Sequence, residues 1–168
     1  MNRLLAAVFL IVLMCGISIA QRSVPKDTRI TLKRGFCLGD CMASVLSISS
    51  DGSVQFMAEF IDAEGNLVAM PPVWGDITVE DLKDLVSEFE KIDFFSLKNS
   101  YPENCPTSVK NNPPVTTSIT IAGKSKQVTR QFGCEVTPVL ERLIALENKI
   151  SRVAGTEKLM KQLPIPKP

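Results

Sequence analysis

The spacing of apolar residues changes its period along this chain, and this change constrains the fold most. Apolar residues alternate over residues 28–34, 43–49 and 54–61, which predicts three strands. They take helical spacing over 78–92, alternate again over 115–132, and return to helical spacing over 137–153. Strands joined by tight turns form an antiparallel sheet, and two amphipathic helices need one apolar face to cover. The order therefore predicts an α+β fold, with an antiparallel sheet of about five strands and two helices packed on one face.

Local signals set the bounds of these elements. Asp51-Gly52 lies between two alternating runs and predicts a type I′ hairpin turn, since both residues tolerate positive φ. Residues 67–70 are expected to return as a short edge strand before two prolines. Thr78 and Thr137-Pro138 are typical helix starts. We expect a linker over 21–27, a single domain over 28–154 and a flexible tail over 155–168.

The first twenty residues are typical of a secretory signal peptide. Arg3 precedes an apolar run, and Ser18-Ile19-Ala20 fits the small-x-small pattern for cleavage before Gln21. An uncleaved anchor and a lipoprotein signal at Cys15 are the alternatives. We therefore predict export to the periplasm or the extracellular space, with no stable membrane span after cleavage.

Charge argues against two classes of partner. Lys and Arg number 19 and Asp and Glu number 18, and removing residues 1–20 takes away one arginine, which leaves 18 of each. A mature chain with zero net charge and no basic stripe is not expected to bind nucleic acid or an anionic membrane surface.

Cysteine and histidine usage limits the chemistry. The mature chain keeps four cysteines, Cys37, Cys41, Cys105 and Cys134, and the whole chain has no histidine. An even cysteine count in an exported chain favours disulfides. The absence of histidine excludes Ser-His-Asp and Cys-His catalysis and His-bearing zinc sites. We predict neither a metal nor a cofactor.

The two hairpin cysteines leave alternatives open. We favour the pairs Cys37–Cys41 and Cys105–Cys134, although four cysteines allow three pairings. The spacing differs from the C-x-x-C of a redox helix and from that of common zinc ribbons. A thiol-disulfide redox protein that uses Cys37 and Cys41 remains the alternative function.

Other candidate sites are weaker. Five carboxylates crowd the first predicted helix and indicate a solvated face, because a glycosidase needs two carboxylates across a cleft. A hydrolase would require a further carboxylate on the sheet that faces this helix. Trp74, in a predicted loop, and Tyr101 are candidate binding residues, with edge packing as the alternative.

Several segments of the sequence together resemble a known family. "ITLKRGFCLGDC", "SISSDGSVQF" and the capped helix that follows are similar to a bacterial exported family known only as a domain of unknown function. Its members tend to have a Cys-x-Gly-x-Cys turn followed by a strand that leads to Asp-Gly. Residues Cys37, Gly39, Cys41, Asp51, Gly52 and Tyr101 match this pattern, whereas Met42 and Ser44 stand where the family commonly has proline and tyrosine. The resemblance implies export and fold, but no activity.

These observations favour one function. The chain is predicted to be a disulfide-stapled, non-catalytic binding or interaction module, whose partner is a protein, a peptide or a component of the cell envelope. The expected surface consists of the Cys37–Cys41 turn, the Trp74 loop and the loop after Tyr101, since loops on a rigid sheet often carry recognition.

Overall fold

The computed structural model describes residues 23–36, 42–101, 113–131 and 135–164. Eight strands and three α-helices lie in these ranges. The strands are β1 (Arg29–Arg34), β2 (Ala43–Ser49), β3 (Ser53–Ile61), β4 (Leu67–Ala69), β5 (Val73–Asp76), β6 (Ser100–Tyr101), β7 (Val115–Ile121) and β8 (Lys124–Arg130). The helices are α1 (Val79–Lys91), α2 (Pro138–Val153) and α3 (Thr156–Met160), with a short 3₁₀ helix at Phe94–Ser96.

All eight strands join one sheet. Its order is β4-β3-β2-β1-β7-β8-β6, and β5 pairs with the other half of the β3 edge. Only the short β6–β8 pair is parallel among the described pairs. β4 and β5 follow the same edge of β3 but are separated by Pro71 and Pro72, which have no N–H to donate.

The predicted α+β class is confirmed, but the strand count was too low. β5 and β6 were missed. β5 contains Gly75 and shows no apolar alternation, and β6 has only two residues. Both segments are strands because each pairs with a neighbouring strand, β5 with β3 and β6 with β8. The apolar pattern within a short segment does not reveal such pairing.

The core lies on one face of the sheet. Alternate strand residues are buried there, beneath the apolar stripes of α1 and α2 and the side chain of Leu159 from α3. The opposite face carries the intervening residues, which are mostly Ser, Thr, Gln and Lys. The buried strand and helix residues include Ile30, Ile48, Val54, Phe56, Ile119, Val128, Leu82, Leu85, Phe89, Leu143 and Ile150.

The predicted helix starts are confirmed. Thr78 Oγ1 accepts from Asp81 N at 3.0 Å, and Thr78 N donates back to Asp81 Oδ2 at 3.3 Å, which completes a capping box. Thr137 caps α2, with Pro138 at its first turn.

The β2–β3 hairpin turn differs from the predicted type I′ geometry. In the β2–β3 turn only Gly52 has positive φ, +85°, so the loop has three residues that end in a left-handed glycine and is not type I′. The β7–β8 turn instead has positive φ at both Ala122 and Gly123, the type I′ pattern. Asp27 holds this second turn, since its carboxylate accepts from both turn N–H groups at 3.0 and 2.6 Å.

Residues 155–168 were expected to form a flexible tail, and the structure describes them as far as residue 164. Gly155 follows α2 in a left-handed conformation, with a φ of +64°, and the chain then forms α3. Leu159 and Leu163 are buried in the core, so this segment covers one end of the sheet.

Candidate ligand-binding cavity

The four predicted disulfide cysteines lie outside the described residues. Cys37, Cys41, Cys105 and Cys134 therefore keep their status as predictions, as do their pairing and the redox alternative. The predicted signal peptide, residues 1–20, lies outside the described ranges as well.

Trp74 lies on a strand and not in a loop. It belongs to β5, is 61% exposed, and pairs with Gln55 on the face of the sheet opposite the helices. Tyr101 is half-buried on β6 and packs against the core, and its hydroxyl accepts from Lys98 N at 3.2 Å. Five strands lie between β5 and β6, so the two aromatic residues are separated by roughly 29 Å. The structure does not bring them together into one surface.

The carboxylates of α1 do not build a hydrolytic site with the described strands. Asp81 serves the helix cap, and Glu88 Oε1 accepts from Lys149 at 2.8 Å and from Lys91 at 2.9 Å. The hydrogen bond from Lys149, followed by that from Lys91, lowers the pKa of Glu88. The core-facing positions of the described strands hold no carboxylate, so those strands lack the second acid group that a hydrolase would need.

A buried ion pair joins the sheet to α2. Glu147 Oε2 accepts from Arg130 Nη2 at 2.6 Å and from Nε at 2.8 Å, while Thr117 Oγ1 donates to Glu147 Oε1 at 3.2 Å. Both charged side chains are nearly inaccessible, with exposures of 8% and 2%. Each interrupts an apolar stripe, which is the signal that could have revealed the pair from the sequence. Since both Glu147 oxygens are occupied, we regard this pair as structural.

A cavity of about 270 Å³ lies between the sheet and the junction of α2 with α3. Its floor is formed by two rows of paired strand residues, one of Leu32, Leu46 and Phe56 and the next of Arg34, Ser44 and Ala58. Met42 and the helix residues Ser151, Thr156 and Met160 complete the described lining. We call this space the Arg34 cavity.

Two polar atoms of the Arg34 cavity are unsatisfied. Arg34 Nη2 donates to Ser151 Oγ at 3.1 Å, but Arg34 Nε is buried without a hydrogen-bond partner in the described part of the chain. Thr156 Oγ1 is buried in the same condition. Buried polar groups nearly always have a partner, and a bound ligand or a water molecule would supply one to these two atoms.

The mouth of the Arg34 cavity is basic. An adjoining open space of about 700 Å³ shares Arg34, Ser151, Thr156 and Met160 with it and extends along the outer side of the α2–α3 junction. Its charged lining residues are Arg34, Arg152, Lys158, Lys161 and Glu157. Four cations and one carboxylate give three net positive charges, although the mature chain as a whole is predicted to be neutral.

Sequence reasoning missed the Arg34 cavity. Arg34 follows Ile30 and Leu32 at the same alternating spacing, so a cation ends the apolar face of β1. That irregularity was the available signal. The contributions of Thr156 and Met160 depend on how α3 folds back, which the sequence pattern did not predict.

The comparisons agree with the predicted kind of family. A family model described as "Domain of unknown function (DUF6438)" matches residues 28–154, which confirms the resemblance at that level, while the cysteine motif and export stay predictions. No curated protein matches the chain. Among the described residues, no helix has both the length and the apolar character that crossing a membrane requires.

Proposed function

The chain belongs to the DUF6438 family, a domain of unknown function, and we propose that it is an exported, non-catalytic binding module that holds a small organic ligand in the Arg34 cavity. The observation that carries this proposal is the unsatisfied Arg34 Nε inside a cavity whose floor is mainly apolar. Apolar walls with a few convergent polar groups are the usual composition of a ligand site.

Energetics favours a ligand site over a packing defect. Protein interiors are close-packed, and voids larger than a water molecule are few. A buried donor without a partner costs about 1–3 kcal/mol, which a bound acceptor would recover. Two of the three helix-side lining residues, Thr156 and Met160, belong to α3, a five-residue helix beyond the span of the family match.

Export and disulfide stapling belong to the same proposal. They are supported by the signal-peptide pattern of residues 1–20 and by the even cysteine count that follows it. The ligand would then be a molecule of the cell envelope or its surroundings, in keeping with the partner classes predicted from the sequence.

A neutral fluorescent probe tests the proposed function. N-phenyl-1-naphthylamine is titrated into the mature chain, and we expect saturable fluorescence enhancement at one site. Ser44→Leu fills the Arg34 cavity and is expected to abolish the enhancement. Ser47→Leu is the matched control, because Ser47 lies on the same strand but pairs with Gln55 on the opposite face of the sheet.

Circular dichroism of both variants verifies that they fold. Equal probe binding by the wild type and by folded Ser44→Leu would show that the cavity is not the binding site, and the proposal would be abandoned. No enhancement with any of the three proteins would lead to the same conclusion.

A further inference from the structure

We infer, on the basis of the proposed function, that the ligand of the Arg34 cavity is an anionic amphiphile: a carboxylate at the end of a short acyl chain. The carboxylate would bind the Arg34 guanidinium, and the chain would lie on the apolar floor. The juxtaposition of a half-buried cation, a mainly apolar floor and a basic mouth carries this inference.

The apolar part of the site is suited to a short chain. Leu32, Leu46, Phe56, Ala58 and Met160 supply carbon surface on both the sheet side and the helix side. A space of about 270 Å³ corresponds to roughly nine water molecules at about 30 Å³ each. An acyl chain of about eight carbons, its carboxylate included, is therefore the longest that this volume would hold.

The polar part selects the sign of the head group. Arg34 presents a free Nε beside an Nη2 that is held by the neutral Ser151 hydroxyl, so its charge has no carboxylate partner among the described residues. A planar guanidinium binds carboxylates through two parallel hydrogen bonds. Thr156 Oγ1 is a further unsatisfied group at the same end of the cavity.

The mouth reinforces this selection. Glu157, its single described carboxylate, already accepts from Lys161 at 2.7 Å. Arg152 and Lys158 add positive charge at the entrance. A cationic head group would meet like charges, and a neutral one would leave Arg34 without a counter-charge, so both should bind more weakly than a carboxylate.

Methionine methyl groups provide the readout. Met42 and Met160 line the Arg34 cavity, whereas Met57 lies on the opposite face of the sheet and Met70 is buried at the β3 edge. The mature chain is labelled with ¹³C-methyl methionine and titrated with octanoate, octanol, octylamine and acetate at neutral pH. We expect octanoate to shift the Met42 and Met160 signals saturably and to leave Met57 unchanged.

Two variants of Arg34 and a control variant of Arg29 test the head-group contact. Arg34→Met is expected to weaken octanoate binding about tenfold or more, a loss of about 1.4 kcal/mol, and to bring it close to octanol binding. Arg29→Met is the matched control, because Arg29 lies on the same strand but on the face opposite the cavity. This variant should bind octanoate with the affinity of the wild type. Arg34→Lys should restore only part of the affinity, since a lysine lacks the bidentate fork.

The outcomes separate the inference from the proposed function. If octanol or octylamine shifts Met42 and Met160 at the same concentrations as octanoate, the cavity binds ligands but the carboxylate inference is wrong. The same holds if Arg34→Met binds octanoate as the wild type does. If no probe shifts either methyl group, both the inference and the proposed function are wrong.

Discussion

Gly52 is expected to be the glycine of the sheet that tolerates substitution least. Its φ is +85°, and a Cβ built there would lie 2.4 Å from the carbonyl oxygen of Ile77, closer than real Cβ atoms approach other atoms. Gly65 provides a matched comparison, because its φ is +86° and nothing lies within 4 Å of its Cβ position. Replacing each glycine with alanine thus imposes the same backbone strain but only one collision.

The magnitude follows from the contacts of Ile77. Positive φ costs an alanine about 1–2 kcal/mol at either site. Restoring a 3.0 Å contact at Gly52 moves the Ile77 carbonyl by 3.0 − 2.4 = 0.6 Å. This shift strains the 2.9 Å hydrogen bond from Ile77 N to Gly52 O, worth about 0.5–1.5 kcal/mol, and the neighbouring Thr78 cap, worth about 1 kcal/mol. We therefore expect a loss of about 3–4 kcal/mol for Gly52→Ala and about 1–2 kcal/mol for Gly65→Ala.

Urea denaturation followed by circular dichroism measures this difference. With a slope of about 2 kcal/mol per molar urea, the midpoint should fall by roughly 1.5–2 M for Gly52→Ala and by roughly 0.5–1 M for Gly65→Ala. Equal midpoints for the two variants would refute the argument, because the collision with Ile77 would then contribute nothing.

Three further predictions concern the Arg130–Glu147 ion pair, the hydrogen bonds from the β7–β8 turn to the Asp27 carboxylate, and the cysteines. Glu147→Gln should lose about 1.5–3 kcal/mol of unfolding free energy, because it removes the carboxylate that accepts two hydrogen bonds from the buried Arg130 guanidinium. The double variant with Arg130→Met should recover most of this loss in urea denaturation, and a double variant no more stable than the single one would contradict the prediction. The hydrogen bond from the β7–β8 turn lowers the pKa of Asp27, so its stabilisation is present above the unfolded pKa of about 3.9 and is lost as the pH falls through the lower folded pKa. The stability difference between the wild type and Asp27→Asn, measured in melting curves, should accordingly shrink as the pH falls from about 5 to about 2. A difference that stays constant over this range would show that the Asp27 carboxylate does not stabilise the turn. Peptide mapping without reduction should join Cys37 to Cys41, since the β1–β2 hairpin pairs the residues on both sides of them, and a link from Cys37 to any other cysteine would contradict this pairing.

The elements that the sequence predicted are those with a local cause. Thr78 and Thr137 begin helices because their hydroxyls accept from N–H groups three residues ahead, a contact that depends only on neighbours in the chain. The alternation of Ile30 and Leu32 likewise identifies the buried face of β1.

The elements that were missed depend on distant partners. β5 is a strand through its register with β3, and Gly75 within it leaves room for Leu159, whose nearest carbon would lie 3.2 Å from an added Cβ. The Arg34 cavity is non-local in the same way, because Ser151 approaches Arg34 only when α2 packs on the sheet, and Thr156 only after α3 folds back. The spacing of apolar residues along the chain gives no information about these contacts.

Arg130 and Arg34 both lie on the core-facing side of the sheet, but they differ in their hydrogen-bond partners. This difference distinguishes an arginine that stabilises the fold from one that is proposed to bind a ligand. Arg130 donates twice to Glu147, whereas Arg34 has one neutral partner and a buried Nε with none among the described residues. A buried polar atom without a partner costs about 1–3 kcal/mol. Replacing Arg34 with the uncharged methionine should therefore leave the free protein at least as stable as the wild type, in contrast to the loss expected at Glu147.

With octanoate present, the wild type should instead be more stable than Arg34→Met. At one hundred times its dissociation constant, octanoate would stabilise the wild type by about 2.7 kcal/mol through mass action, and at that same concentration it would stabilise Arg34→Met much less. Thermal unfolding with and without octanoate measures both effects. If free Arg34→Met is less stable than the wild type by more than about 1 kcal/mol, its hydrogen bond to Ser151 outweighs the unsatisfied Nε, and Arg34 serves the fold and not a ligand.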